Sequence, residues 1–230
     1  MIHQHELKAN DVHAYTLEML KEHSKIKVDG YICKTDMILN VLIKASAENS
    51  SLEAACGDLE ETADSNTIRE YLNEALPIKE LREQEKQVNK VLACGTPADL
   101  VRTDIEVALD FHDEPFYGKQ AGTRQVTCAG QAKKGTTHFV RIATAYIIWR
   151  QVRLTLAVRY VLPEDETLEI LKFLLQRLKK LGFKAKVLYM DKGFSSTAII
   201  QYLTAQQQSA IIACPIRGKT GGTRALCRGR

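Results

Sequence analysis

The spacing of hydrophobic residues changes near the middle of the chain and predicts two kinds of structure. Between residues 35 and 76, apolar side chains recur every three or four positions, which is typical of helices with one buried face. From Asp104 onward, several segments alternate apolar and polar residues, which is typical of strands. Gly95-Thr96-Pro97 interrupts the charged helical segment between the two. We therefore expect an N-terminal segment over residues 1–34, a helical region over 35–77, a helical connector over 78–103 and an α/β domain over 104–230.

Three short helices are predicted in the helical region, joined by tight turns and ended by Pro77. Ser50 and Glu53 have the spacing of a capping box at the start of the second helix. Short helices of this kind are typical of a helix-turn-helix, whose recognition helix presents its N-terminal residues to DNA. A three-helix unit without a nucleic-acid partner is the alternative, because the pattern is permissive. The DNA-contacting residues predicted on the third helix are Ser65, Asn66, Thr67 and Arg69.

The α/β domain is predicted to contain five strands and two helices. Its strands are expected at Ile105–Phe111, His138–Trp149, Arg153–Leu162, Lys186–Asp191 and Ala210–Cys214. One helix follows Pro163 and ends near Gly182, and the other covers Ser195–Gln207. His112-Asp113-Glu114-Pro115 is expected to be a polar turn, and residues 118–135 a loop. The order predicts a mixed sheet in which the second and third strands form an antiparallel hairpin.

Two aspartates occupy corresponding places on two of these strands. Asp110 lies near the end of the first predicted strand, and Asp191 ends the fourth. In a mixed sheet such strand ends can be neighbours, and paired carboxylates are ligands that Mg²⁺ or Mn²⁺ prefer. Divalent ions there would activate a water or a 3′-hydroxyl and stabilise the leaving oxygen of a phosphodiester. The alternative for each aspartate alone is a strand-end cap or an ion pair.

Charge is distributed unevenly along the chain, whose formal net charge is +4. Residues 1–191 contain 26 basic and 28 acidic side chains, whereas the six basic residues from Lys192 onward have no acidic residue among them. A basic C-terminal part suggests a phosphate backbone as partner, and the alternative is that these basic residues are solvated. The candidate phosphate contacts are Lys192, Arg217 and Arg224.

The composition indicates the cellular compartment in which the protein is expected. The six cysteines are scattered and form no Cys-x-x-Cys pair, which favours reduced thiols in a cytoplasmic protein over a structural zinc site. No apolar segment approaches the roughly 18 residues of a membrane-spanning helix. The first residues lack the basic and apolar pattern of a secretory signal.

Four segments resemble DDE transposases of prokaryotic insertion sequences, which have a ribonuclease-H-like catalytic domain. They are SLEAACGDLEETADSNTIREYLNEALP, VALDFHDEPFYGK, VLYMDKGFSS and AIIACPIRGKTGGTRALCRGR, and the resemblance extends from about Thr35 onward. It implies a ribonuclease-H-like mixed sheet, with Asp110 as the first catalytic acid, Asp191 as the second and Mg²⁺ or Mn²⁺ as cofactor. It also implies binding of double-stranded DNA, cleavage at element ends and transfer of the new 3′ ends into target DNA, with a homodimer as a possible state.

One feature of the resembling family is missing from this sequence. The family's third acid, usually a glutamate on a helix after the last strand, has no counterpart, because no Asp or Glu follows Asp191. The chain is therefore expected to be a C-terminally truncated copy with a partial catalytic domain, able to bind DNA but weak or inactive alone. Asp113 or Glu114 could complete a metal site, but they and His112 are expected to be turn residues.

Two other functions remain open from the sequence. One is a non-catalytic DNA-binding remnant or regulator, which could also partner a full-length transposase. The other is a ribonuclease-H-like nuclease that cuts DNA without joining ends, for which Asp110, Asp113 and Asp191 would have to suffice.

Overall fold

The computed structural model describes residues 8–101, 103–118, 125–133, 135–216 and 223–226. The chain divides into two compact units after Val91. None of the described helices is both long enough and apolar enough to cross a membrane.

The first unit is helical, as the spacing of apolar residues predicts. It contains α1 (Ala9–His23), α2 (Thr35–Glu48), α3 (Leu52–Asp58) and α4 (Ser65–Ala75), and α5 (Leu81–Cys94) begins in it. The core of the unit contains the fully buried Ile38, Leu39 and Val41 of α2 together with Ala55 and Ile68. Ile26 and Cys33 belong to the same core, so residues before Thr35 also contribute to it.

The start of α3 corrects one local prediction. The N-cap residue is Ser51, whose side-chain oxygen accepts a hydrogen bond from the backbone N–H of Ala54 at 3.1 Å. The capping box predicted from Ser50 and Glu53 is therefore wrong by one residue. The hydroxyl of Ser50 is instead buried and has no hydrogen-bond partner within the described part of the chain.

The second unit is built on a mixed sheet. Its strands are β1 (Asp104–Pro115), β2 (Cys128–Lys133), β3 (Thr136–Trp149), β4 (Val152–Val161), β5 (Lys184–Met190) and β6 (Ala210–Ile212). The path through the sheet is β4-β3-β1-β5-β6, and β2 also pairs with β3. β1, β5 and β6 are parallel, whereas β3 is antiparallel to its neighbours. The order and directions of these strands are those of a ribonuclease-H-like sheet and confirm the predicted fold class.

The described helices that follow β4 in the chain are α6 (Thr167–Lys180), α7 (Thr197–Ala205) and the short α8 (Thr223–Leu226). The inward side chains of α6 and α7 pack with the alternate residues Ile105, Val107 and Leu109 of β1 in one hydrophobic core. Gly182 follows α6 with a φ of 82°, and its N–H donates to the carbonyl of Lys179. This left-handed residue confirms the predicted end of the helix.

The side of the sheet opposite α6 and α7 is covered by neither of these two helices, and we call it the open face. Tyr189, Ile211 and Ile148 are 40%, 59% and 66% exposed there. The open face includes Glu106, Ala108, Asp110, His112, Thr144, Tyr146, Arg153, Tyr189 and Ile211. They alternate along their strands with the buried residues that face α6 and α7, as the period of two requires.

Two sequence predictions in this unit are wrong. His112-Asp113-Glu114-Pro115 is not a turn, because each of these residues pairs with β3 as part of β1. Residues 118–135 are not wholly a loop, because Cys128–Lys133 forms β2 against the start of β3. In both places the long β3 provides hydrogen-bond partners, and this pairing outweighs the local preference of polar residues and proline for turns.

Candidate functional site

Asp110 and Asp191 are neighbours across two parallel strands. The preceding residues, Leu109 and Met190, are paired in the β1–β5 register and are both buried. Adjacent strands lie about 4.8 Å apart, so the two aspartates that follow this pair are brought together at one place in the sheet. The structure places Asp191 directly after the end of β5, as predicted, but Asp110 within β1 and not at its end.

Asp110 is half-buried on the open face, one residue beyond the end of the β1–β5 pairing. Its direct partner across β1 and β3 is Thr144. His112 and Glu114, two and four positions along the same face, are exposed and contact each other at 2.5 Å between Nε2 and Oε1. These polar side chains lie on the same face of β1 as Asp110.

Asp191 is held by the turn that follows it. Its Oδ1 accepts a hydrogen bond from the backbone N–H of Gly193 at 2.8 Å. Phe194, the next residue of this turn, is fully buried and stacks on Phe111 with ring centroids 4.4 Å apart. A Cβ on Gly193 would lie 2.8 Å from the Phe111 ring and 2.9 Å from the Asp191 carboxylate. Glycine is therefore required for the close approach of the turn to both groups.

The electrostatics of the pair favour a bound cation. Burial raises the pKa of Asp191 above its ordinary value, and the negative charge of Asp110 raises this pKa further. The hydrogen bond from the N–H of Gly193 acts in the opposite direction and lowers the pKa. A positive ion between the two carboxylates would offset the repulsion that Asp191 experiences from Asp110.

Asp113 belongs to a different side of the sheet. It lies opposite Arg141, which donates from Nε and Nη2 to its two carboxylate oxygens at 2.7 and 3.0 Å. This pair raises the pKa of the Arg141 guanidinium. Asp113 lies three positions after Asp110 on the other face of β1, and it lines a cleft of about 620 Å³ together with Asp165 and Asp191. Its carboxylate is thus committed to Arg141, away from the face that Asp110 occupies.

Among the described residues, no group of three or more His, Cys, Asp or Glu side chains is positioned to hold a metal ion. Asp110 and Asp191 supply two carboxylates for such an ion. Mg²⁺ keeps several of its waters and is commonly held by one or two carboxylates together with substrate phosphates. Asp110 and Asp191 therefore fit this ion, with their mutual repulsion as the supporting observation.

The predicted recognition helix is α4. Its N-cap is Asp64, which accepts a hydrogen bond from the N–H of Asn66 at 2.8 Å. Ser65 is buried, with an exposed fraction of 7%. Asn66 and Arg69 are exposed and are joined to each other by a hydrogen bond of 3.0 Å. Thr67 is half-buried on the same turn.

The basic residues proposed to contact phosphate are only partly within the described structure. Lys192 is exposed in the turn beside Asp191. Arg224 is exposed in α8. Arg217 lies outside the described residues.

The sequence did not identify Arg153 and Thr144 as neighbours of the site. Arg153 lies over the ring of Tyr146, 3.7 Å from its centroid, and reaches toward Thr144. The alternation of β3 and β4 could have placed all three on one face. Their closeness to Asp110 depends on strand register, and β4 contains a register shift opposite Ala145 and Tyr146 that local sequence does not reveal.

Among the described residues, Cys33, Cys56, Cys94, Cys128 and Cys214 form no disulfide with one another. Burial raises the pKa of the Cys33 and Cys128 thiols, so they remain protonated side chains that pack as small apolar groups.

No protein-family model matches the chain. No curated protein matches it either. Among solved structures, a cryo-EM structure of the piggyBac transposase synaptic complex with hairpin DNA is similar, with a TM-score of 0.45 and 12% identity over 98% of this chain and 45% of that one. A Drosophila P element transposase strand transfer complex has a TM-score of 0.40 and 9% identity over 89% of this chain and 47% of that one. The chain spans less than half the length of either, and at these values the likeness carries no conclusion about activity.

Proposed function

We propose that this chain is a DNA-processing protein of the transposase type, which binds DNA and participates in metal-dependent phosphodiester transfer. The observation that carries the proposal is that Asp110 and Asp191 directly follow Leu109 and Met190, which are paired between the parallel strands β1 and β5. The resemblance of the segments around both aspartates to DDE transposases of insertion sequences supports the same chemistry.

Asp110 and Asp191 would hold Mg²⁺ or Mn²⁺ through carboxylate oxygens. The ion, when bound, supplies charge stabilisation for the phosphodiester and lowers the pKa of an attacking water or 3′-hydroxyl. The chain's own contribution is positioning, because Gly193 and the stacked Phe111 and Phe194 fix the turn that carries Asp191. Asp110 is fixed by its place within a strand that is paired on both sides.

The ribonuclease-H-like sheet and the helical unit have different roles in this proposal. The N-terminal end of α4, with Asn66, Thr67 and Arg69, is the proposed DNA-reading element. Ser65 is buried, so its proposed contribution is to hold the start of α4 in the geometry that presents the neighbouring residues to DNA. Lys192, Arg217 and Arg224 are the proposed phosphate contacts. The proposed partner is double-stranded DNA in the cytoplasm. This DNA comprises the ends of the mobile element and the target into which those ends are transferred.

Cleavage of DNA in the presence of Mg²⁺ or Mn²⁺ tests the catalytic part of the proposal. A supercoiled plasmid is a suitable substrate, because a single nick relaxes it and no end sequence has to be known. We expect nicking that requires the metal and is abolished in Asp110→Asn and Asp191→Asn but retained in Asp113→Asn. Metal-independent nicking, or nicking that survives in Asp110→Asn, would contradict the assignment.

A non-catalytic DNA-binding regulator is the second candidate, and one observation favours it. The described residues bring two carboxylates together and not three. If this candidate is correct, the protein binds DNA with a strong salt dependence but does not nick the plasmid with either metal. Asp110→Asn then leaves both measurements unchanged, whereas Arg69→Ala weakens binding.

A further inference from the structure

Arg153 is a cation on the same open face as Asp110. It is exposed on β4, and its guanidinium lies over the ring of Tyr146, 3.7 Å from the centroid. Its Nη2 is 3.5 Å from the hydroxyl of Thr144, which is at the limit of a hydrogen bond. Stacking on an aromatic ring restricts the guanidinium while leaving most of its five N–H donors available.

Thr144 connects this guanidinium with the paired carboxylates. It is the direct partner of Asp110 across β1 and β3. Side chains directly opposite each other in an antiparallel pair have Cβ atoms about 5 Å apart. One side chain, Thr144, thus separates the Arg153 guanidinium from Asp110.

Arg153 differs from the other described arginines of these two strands in its contacts. Arg141 donates two hydrogen bonds to Asp113. Arg150 is 3.2 Å from a carboxylate oxygen of Asp99, and Arg159 is 3.8 Å from one of Asp165. Within the described part of the chain, the contacts of Arg153 are to Tyr146 and Thr144, neither of which neutralises its charge.

We propose that Arg153 binds a phosphate of a nucleic-acid strand that lies across the open face, beside the phosphate positioned at Asp110 and Asp191. This inference rests on the proposed function, because it describes the path of the bound nucleic-acid strand at the same site. A planar guanidinium donates two parallel hydrogen bonds to a phosphate, and Tyr146 holds it ready to do so. The strand would cross from β5 over β1 and β3 toward β4.

Binding of a labelled oligonucleotide, followed by fluorescence anisotropy at several salt concentrations, tests this assignment. Arg153→Gln should weaken binding about tenfold, because it removes a charge-assisted contact. It should also reduce the slope of log K against log salt by about one. Arg150→Gln is the matched control. It removes the same charge from the same hairpin, but from the turn after β3, six residues after Thr144 or about 20 Å away, and should leave binding unchanged.

Arg153→Lys provides a second measurement at the same exposed position. Lysine keeps the charge but lacks the planar pair of donors, so the salt slope should be restored while the affinity stays below that of the wild type. Wild-type affinity and slope in both Arg153 variants, with DNA binding intact, would overturn the Arg153 assignment and leave the proposed function standing. Absence of DNA binding by the wild-type protein would overturn both. A change in unfolding temperature alone, without a change in binding, would show that Arg153 only stabilises the hairpin.

Discussion

Asp113 and Arg141 face each other across β1 and β3 and form a two-point ion pair, with N–O distances of 2.7 and 3.0 Å. The same strand directs Asp110 to the opposite side of the sheet. The two acids are three positions apart in sequence, but the alternation of the strand separates them. Asp113 is therefore a structural residue of the helix-covered side, and Asp110 is the residue of the candidate site.

Asp113→Asn should reduce stability without affecting metal binding. The substitution leaves the half-buried Arg141 without a full counter-charge, which we expect to cost about 1–2 kcal/mol, between the values for exposed and buried pairs. Chemical denaturation measures the free energy of unfolding, and Mn²⁺ titration provides the second readout. Loss of metal binding with unchanged stability would show that Asp113 is a ligand.

Asp191→Asn should stabilise the folded protein near neutral pH. Because the pKa of Asp191 is raised in the fold, the folded chain keeps this proton to higher pH than the unfolded chain does. The free energy of unfolding therefore falls as the pH rises from the ordinary pKa through the raised pKa. At any pH above the raised pKa, the full loss of stability is present. Removing the charge should recover roughly 0.5–1 kcal/mol, as optimised charges commonly do.

Thermal unfolding of the wild type and Asp191→Asn across a range of pH measures this effect. The difference between the two proteins should be largest at neutral pH and should shrink as the pH approaches the ordinary pKa of 3.8. A variant less stable than the wild type at neutral pH and equal to it in acid would reverse the sign and contradict the raised pKa.

Gly193→Ala should disturb the turn that carries Asp191. The added Cβ would meet the Phe111 ring and the Asp191 carboxylate at less than 3.0 Å, so one of them must move. We expect a loss of stability of about 1–3 kcal/mol, typical of overpacking. Weaker metal binding should accompany it. Gly57→Ala is a useful control, because no atom lies within 4 Å of its added Cβ. Equal stability of both variants would argue against the close approach.

Two adjacent serines should respond differently to alanine substitution. Ser51→Ala removes the hydroxyl that accepts from Ala54, and loss of such a cap costs about 1 kcal/mol. Ser50→Ala removes a buried hydroxyl without a partner and should be neutral or slightly stabilising. Urea denaturation compares the two variants directly, and a larger loss in Ser50→Ala would support the capping box at Ser50.

Much of the fold follows from sequence periodicity, because the buried faces of α2, α4, α6 and the strands repeat regularly. The hairpin of β3 and β4 was also predictable from its short connection. Its turn residues, Arg150 and Gln151, have φ values of 49° and 66°, although neither is a typical residue for such a turn. Tertiary pairing here imposes a conformation that the local sequence does not favour.

Other features depend on long-range pairing and could not be predicted. The extension of β1 through Pro115 and the formation of β2 both require β3 as a partner. Asp110 and Asp191 could be selected as acids on apolar strands, but their closeness depends on the β1–β5 register, which contains a shift between Ile105 and Glu106. The link from Arg153 through Thr144 to Asp110 joins three strands and leaves no signal in any one of them.

Mn²⁺ binding, followed by electron paramagnetic resonance of the free ion, tests the paired-carboxylate site most directly. The wild-type protein should bind Mn²⁺ saturably, and Mg²⁺ should compete for the site. Asp110→Asn and Asp191→Asn should each abolish this binding, whereas Asp113→Asn should retain it. Absence of binding by the wild type, or equal binding by Asp110→Asn and Asp191→Asn, would contradict the assignment of these two aspartates as a metal site.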